Sequence, residues 1–390
     1  VPNTLKHKFT SAIADDLDST IVRPSNWNDE HLFSGGADGE YLQYFTANSD
    51  KVRFRNIWLD IGYIDVTKAP YNADNTGVTL ASSAILSACN DAIAAGKAVF
   101  IPSGIYLCTY NVILLTFTGS PNKTFCMFGA GADTILKMRD GDMNATGRRF
   151  VDFRPAINMD LIEVRDLVLD NNARGSTPPP SPFDYEQSHT LRFAGAPGTT
   201  TKLVRYHNVV IKDPVADGIN NQNSGIINYF IISNCSEIDR TRVRSSIEWS
   251  YIPENTIITG FTGDSIESEP VSELLTPKVV TISNSVINIL DIAGSLTDGT
   301  DAQMSVYVNN TYIKDKVGIT DCLLKMSGCD FVVNTGQNGN FYALRNMSRI
   351  DTCIIRLPYN DSTGAVTGLS LASSYTSFPT GAFVRGTIHI

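Results

Sequence analysis

Four short stretches decide the fold: H-T-L-R-F (189–193), D-G-I-N-N-Q (217–222), S-S-I-E-W-S (245–250) and D-S-I-E-S-E (264–269). Aligned, they bring Leu191, Ile219, Ile247 and Ile266 into one column, at spacings of 28, 28 and 19 residues. Such spacings match one solenoid coil with loops of variable length. Further short strands lie between successive members, N-T-I-I-T-G (255–260) among them, so each coil carries two or three. The column residue stays apolar while its neighbours vary, as stacking around a common core requires. Residues 61–360 are therefore expected to form a right-handed parallel β-helix, an all-β solenoid.

Working outward, the same texture runs from Asn111 to about Pro358. Ile- and Val-rich strands alternate with Asn, Asp, Gly and Ser, as in L-V-R-Y-H-N-V-V-I-K (203–212) and V-V-T-I-S-N-S-V-I-N-I (279–289). A β-sandwich would also yield many short strands, but it has no reason to repeat a column. Upstream, S-S-A-I-L-S-A-C-N-D-A-I-A-A-G (82–96) places Ile85, Leu86, Cys89 and Ile93 on one helical face. Ser82 can cap its start and Gly96 can end it. One amphipathic helix followed only by strands suits a solenoid, whose open core end needs a cover.

The first sixty residues differ. Thr10–Glu30 is polar and rich in turn formers, with too little periodic apolar surface for a core. G-G-A-D-G-E-Y-L-Q-Y (35–44) and V-R-F-R-N-I-W-L (52–59) read as a small β connector over 35–60. The chain carries a net charge of −9, with 42% hydrophobic and 18% charged residues. That balance argues against nucleic acid or an anionic membrane as the main partner. No run reaches the roughly 18 apolar residues of a membrane span, and V-P-N-T-L-K-H-K-F lacks a secretory h-region. The seven cysteines are scattered through apolar strands without zinc spacing, which suits buried, reduced thiols. No cofactor and no metal is expected.

K-H-K-F-T-S-A-I-A-D-D-L-D-S-T-I-V-R-P-S-N-W-N-D-E-H-L-F (6–33) resembles the N-terminal sequence of many tailed-phage tail proteins, with their K-H-K-F…V-x-P-S-N-W-N-x-x-H pattern. I-D-V-T…A-I-L-S-A-C-N-D-A-I-A-A-G-K-A-V-F-I-P-S-G-I-Y-L (64–107) resembles the opening of the pectate-lyase-like β-helix of phage tailspikes. It departs from that family where G-A-x-G-D-G-x-x-D-D-T is replaced by Y-N-A-D-N-T-G-V-T-L-A-S-S-A-I. The resemblance implies a homotrimeric virion protein, made in the host cytoplasm, whose β-helix faces a bacterial surface polysaccharide. It implies that residues 1–34 form a particle-binding arm, with 1–33 engaging other tail or baseplate proteins. Many relatives cleave the glycan and some only bind it, and fold does not choose between them. Residues 361–390 would close the final coil or contribute to trimer contacts.

The column also predicts a site. If Ile247 and Ile266 point inward, Glu248 and Glu267 point outward on neighbouring coils, because alternate strand residues face opposite ways. Ser265 and Glu269 share the outward face, followed along the sheet by Ser246, then Asn220 and Gln222, then Thr190 and Arg192. Asp264 and Asp217 take equivalent corners before their strands. Glycoside hydrolysis needs two carboxyls about 5–5.5 Å apart for retention or about 6.5–9.5 Å for inversion. Stacked Glu248 and Glu267, about 4.8 Å apart, fall near the first value; the diagonal pair Glu248 and Glu269, about 8 Å apart, falls in the second. The catalytic candidates are Glu248, Glu269, Glu267 and Asp264, with inversion by Glu248 and Glu269 or Asp264 slightly preferred. The substrate-binding candidates are Arg192, Asn220, Gln222, Asp217 and Trp249, the last if a bulge turns its ring outward.

Other readings stand beside this one. Outward acidic residues on a solenoid are often only solvated surface, and hard oxygen ligands at Asp264, Glu267 and Glu269 would suit calcium. His189 and His207 with Arg192 would supply the base and cation of a lyase, although His207 in V-R-Y-H-N-V-V also suits a structural role. F-G-A-G-A-D (128–133) reads as a turn between coils, since no helix follows it, and T-P-P-P-S-P (177–182) as a stiff loop. A hydrolytic tailspike, a lyase, a non-enzymatic receptor-binding or structural tail protein and a cellular pectin-degrading enzyme are the functions in competition.

Overall fold

The computed structural model describes residues 62–330 apart from 112, 119–121, 143–146, 177–187, 223–224, 241–244, 269–276, 294–303 and 321, and only separate strand segments on either side of that span. The chain divides into two units, Val1–Tyr63 and Ile64–Ile390. In the first, Asn3–Leu5 pairs antiparallel with His31–Phe33, and Glu40–Tyr44 with Val52–Asn56. The rest of the arm expected at 1–34 lies outside the described residues.

The second unit is a stack of parallel coils. Each coil contributes a strand to three faces. In one turn these are Ile226–Ser233 on face I, Ser236–Ile238 on face II and Ile247–Trp249 on face III. The next turn begins with Asn255–Thr259, which pairs in parallel with Ile226–Ser233. Crossovers between parallel neighbours take the right-handed sense, and the chain is the right-handed parallel β-helix that its sequence predicts. The deciding column holds residue by residue: Leu191 pairs with Ile219, Ile219 with Ile247 and Ile247 with Ile266. All four are buried.

A second column fixes the corner between faces I and II. Asp166, Asn208, Asn234, Gly260, Asn284, Asn310, Gly328 and Thr352 recur once per coil with φ between 47° and 64°. This left-handed region costs an ordinary L-residue about 1–2 kcal/mol, and Asn, Asp and Gly tolerate it best. The Asn234 amide oxygen lies where a Cβ on Gly260 would fall, and Asn310 is placed the same way against Gly328. Glycine takes the conformation there without strain, and a side chain at either position would have to displace the Asn amide beside it.

The helix spans Ser82–Ala95 and packs against strands 98–101, 113–117 and 124–129, covering the end of the core. Ile85, Ala88, Cys89 and Ala92 form its buried face, while Leu86 and Ile93 are partly buried. Gly96 ends it in the left-handed conformation, with its N–H donating to Ala92 O. Ser82 does not cap it. The residue before the helix is Ala81, and the Ser82 hydroxyl instead accepts the Thr109 N–H at 2.8 Å, tying the helix to the first coil. All seven cysteines are free and buried. Among the described residues no helix is long and apolar enough to cross a membrane.

Alternation within face I gives a direct test of the register. Ile232 is buried between Tyr206 and Ile258, whereas Ile231 faces outward between Arg205 and Ile257. Ile232→Ala should cost about 2–5 kcal/mol and Ile231→Ala less than about 1 kcal/mol, read from denaturant midpoints. Equal losses would contradict the register.

Candidate functional site

On face III one outward row runs along the helix axis in unbroken parallel register: Asp152, Arg192, Asn220, Glu248, Glu267 and Asp291. Every member is polar, because the flanking inward rows already supply the core. Val151, Leu191, Ile219, Ile247, Ile266 and Leu290 fill one of those rows.

The row is charged in two blocks. At one end Asp152 is fully buried and three guanidinium groups converge on it. Arg154 Nη2 lies 2.7 Å from its Oδ2, Arg192 Nη1 3.1 Å and Arg149 Nε 3.9 Å. Burial depresses the Arg149 guanidinium to about 10, and the neighbouring Arg192 pushes it the same way. Arg192 is lowered too, chiefly by burial, with Asp152 opposing the shift. Its Nε donates to Gln222 Oε1 at 3.1 Å.

In the middle, Asn220 is fully buried and its amide donates to Glu248 Oε1 at 3.2 Å and to Asp217 Oδ2 at 3.4 Å. Asp217 is itself buried, with His189 Nδ1 2.8 Å from its Oδ2. A chain of polar contacts thus leads from His189 in the interior to the half-buried Glu248.

At the other end Glu248, Glu267 and Asp291 stack on three successive coils, all half-buried. Lys316, from the following coil, pairs with Asp291. The Asp291 carboxylate lies over Gly318 so closely that a Cβ there would collide with it.

The residues expected at the site differ in burial and register. Glu248 and Glu267 are in register and outward. Asp264, expected at the corner before its strand, lies within strand Thr262–Ser268, where its N–H donates to Ser246 Oγ and its Oδ1 accepts from the Asn288 amide at 2.7 Å. Glu269 lies outside the described residues, so the diagonal pair has only one described member. Arg192 and Gln222 are half-buried and bonded to each other. Asn220 and Asp217 are buried, and of the two only Asn220 contacts Glu248 among the bonds described above. Trp249 requires a correction: no bulge interrupts strand 247–249, and its ring is fully buried in the core rather than set against a sugar.

The lyase constellation is also dispersed. His207 lies on face I, its Nδ1 2.8 Å from Ser233 Oγ, while Arg192 lies on face III and His189 is wholly buried. The loop T-P-P-P-S-P lies outside the described residues. Asp152, Arg149, Arg154, Asp291 and Lys316 escaped the sequence reading. The signal for two of them was present, since V-D-F (151–153) and L-D-I (290–292) repeat the apolar–polar–apolar form of L-R-F and I-E-W.

Fold and site together define a parallel β-helix with one outward ladder of charged and amide side chains. No family model and no curated protein sequence matches the chain. Among solved structures it is similar to the A-module of a mannuronan C-5 epimerase from Azotobacter vinelandii. That alignment has 14% identity and a TM-score of 0.40, covering 84% of this chain and 99% of that one. It is similar to tailspike protein 3 of bacteriophage CBA120, with 13% identity and a TM-score of 0.43, covering 90% of this chain and 63% of that one. The Dettilon tailspike protein aligns with 13% identity and a TM-score of 0.39, covering 83% and 68%.

The arginine block carries its own prediction. Asp152→Asn leaves buried guanidinium groups without their carboxylate and should destabilise the chain by about 3–5 kcal/mol, measured by denaturant unfolding. An unchanged midpoint would show that Asp152 does not hold the arginines together.

Proposed function

We propose that this chain is a phage tailspike whose β-helix binds and hydrolyses a polysaccharide on the surface of the host bacterium. The observation that carries the reading is the stack of outward carboxylates at Glu248, Glu267 and Asp291 on successive coils of one face. Like charges directly opposite one another across neighbouring strands are destabilising, so core packing alone does not account for them. The tail-protein resemblance of residues 6–33 supports the placement on a virion.

Glu248 and Glu267, one coil or about 4.8 Å apart, are near the separation of about 5–5.5 Å for retaining hydrolysis. The adjacent pair therefore takes precedence over the inverting pair preferred from sequence. In this scheme Glu248, oriented by the Asn220 amide, attacks the anomeric carbon as Glu267 protonates the departing oxygen. Glu267 then takes a proton from water, whose oxygen displaces Glu248 and completes hydrolysis. Homotrimer formation would cover face I, where Leu203, Tyr229, Ile231, Ile257 and Val279 point outward on successive coils. Residues 1–33 would attach the trimer to other tail or baseplate proteins.

A purely receptor-binding tail protein is the second reading. It is favoured by the internal pairing of the site, in which Glu248 accepts from Asn220 and Asp291 is paired with Lys316.

Incubation with host surface polysaccharide separates the two. Hydrolysis predicts new reducing ends without the ultraviolet absorbance of unsaturated uronates. Glu248→Gln and Glu267→Gln should each slow their release by about 10²–10⁴-fold with the circular dichroism unchanged. Binding without new reducing ends would establish the receptor reading, and absence of both would sink the proposal.

A further inference from the structure

The arginine end of the face III row is a second feature with its own chemistry. Three guanidinium groups, Arg149, Arg154 and Arg192, share the single buried carboxylate of Asp152. That leaves two positive charges in excess among the described residues. The paired positions on the adjacent strands, all among the described residues, do not cancel them. The coil before presents Leu114 and Thr116 at the positions paired with Asp152 and Arg154, and the coil after presents Asn220 beside Arg192.

The arginines are also constrained. Arg149 and Arg192 are largely buried, with 16% and 13% of their side chains exposed, whereas Arg154 retains 39%. Arg149 Nη1 donates to Gly147 O, while its buried Nε finds no hydrogen-bond acceptor among the described residues. Clustering like charges at partly buried sites is unfavourable unless an anion joins them. Guanidinium is the group best matched to bidentate binding of carboxylate or phosphate oxygens. Beside the cluster, Tyr110 is 41% exposed with the Arg148 guanidinium 4.4 Å above its ring, and Asn111 bonds the Arg149 backbone. An amphipathic surface therefore borders the cationic one.

We propose that Arg149, Arg154 and Arg192 form a subsite for an oxyanion carried by the polysaccharide, so that the glycan recognised is an acidic one. The inference rests on the reading of face III as the glycan site. Arg192 and Glu248 are two coils apart, roughly 10 Å at the spacing of neighbouring strands. The anionic substituent therefore sits away from the bond that is cut, and holds the glycan in place without taking part in the chemistry. The net charge of −9 does not oppose this, because the site is local and the excess charge within it is positive.

The test uses the full chain and the host's surface polysaccharide in three forms: native, carboxyl-reduced to neutral sugars, and dephosphorylated with cold hydrogen fluoride. Affinity is measured by calorimetry at two salt concentrations. The native form should bind, more weakly at the higher salt. One treatment should lower its affinity at least tenfold, and that treatment identifies the anion as carboxylate or phosphate. Arg154→Gln should lower affinity for the native form by a similar factor and leave affinity for the sensitive treated form unchanged, with Arg154→Lys restoring part of the loss. Full-affinity binding after both treatments, or to a polysaccharide that carries no anionic group, overturns the acidic-glycan inference and leaves the glycan site standing. Equal losses in Arg154→Gln for native and treated forms also overturn it. Failure of the native polysaccharide to bind at all counts against the glycan site itself.

Discussion

The structure depends on one constraint, the in-register parallel stacking of each coil on the next. Leu191, Ile219, Ile247 and Ile266 bury one above another, each contributing about 1.5–3 kcal/mol of apolar burial. Since side chains alternate along a strand, this column also dictates which residues face outward. A slip of one residue would carry Glu248 and Glu267 into the core. The corner column guards against such a slip. It needs a residue tolerant of positive φ once per coil, and Asn234, Gly260, Asn284, Asn310 and Gly328 meet that need at successive coils. Moved by one position, the corner would fall on Cys235, Phe261 or Thr311, for which that conformation is strained.

On this frame the two blocks of charge oppose the stacking that creates them. Parallel neighbours at the same position bring like side chains together, which favours Ile on Ile and disfavours Glu on Glu. The third face offsets the repulsion locally. Asn220 donates to Glu248, Lys316 pairs with Asp291, and Asp152 gathers three arginines. The compensations from Asn220, Lys316 and Arg192 join residues of neighbouring coils, so they hold only while the coils stay in register. The row's own members stand on paired strands rather than on loops, which holds them in place.

Much of this was legible in the sequence. The column of apolar residues defined the register, and with it the outward pair Glu248 and Glu267. The periodicity at 82–96 defined the helix and its glycine stop. What was not legible depended on contacts made across loops. Asp217 looks like a surface acid until His189, on the preceding coil, meets it in the interior. Arg149 and Arg154 reach Asp152 from just before and within a strand that precedes the aligned block. Ser82 has the chemistry of a cap, but its hydroxyl accepts the Thr109 N–H. Trp249 was placed inward by the register itself, and only the allowance for a bulge moved it outward; the strand has none.

The register on face III is the claim on which the remainder rests, and cysteine cross-linking tests it most directly. The seven native thiols are buried, so engineered surface cysteines react selectively with a short bifunctional thiosulfonate. The doubly substituted chain Glu248→Cys/Glu267→Cys should cross-link within the folded monomer. Glu248→Cys/Ser268→Cys, whose second position faces the core, should not. Cross-linking of the second pair in preference to the first would show the strands displaced by one residue and would contradict the site.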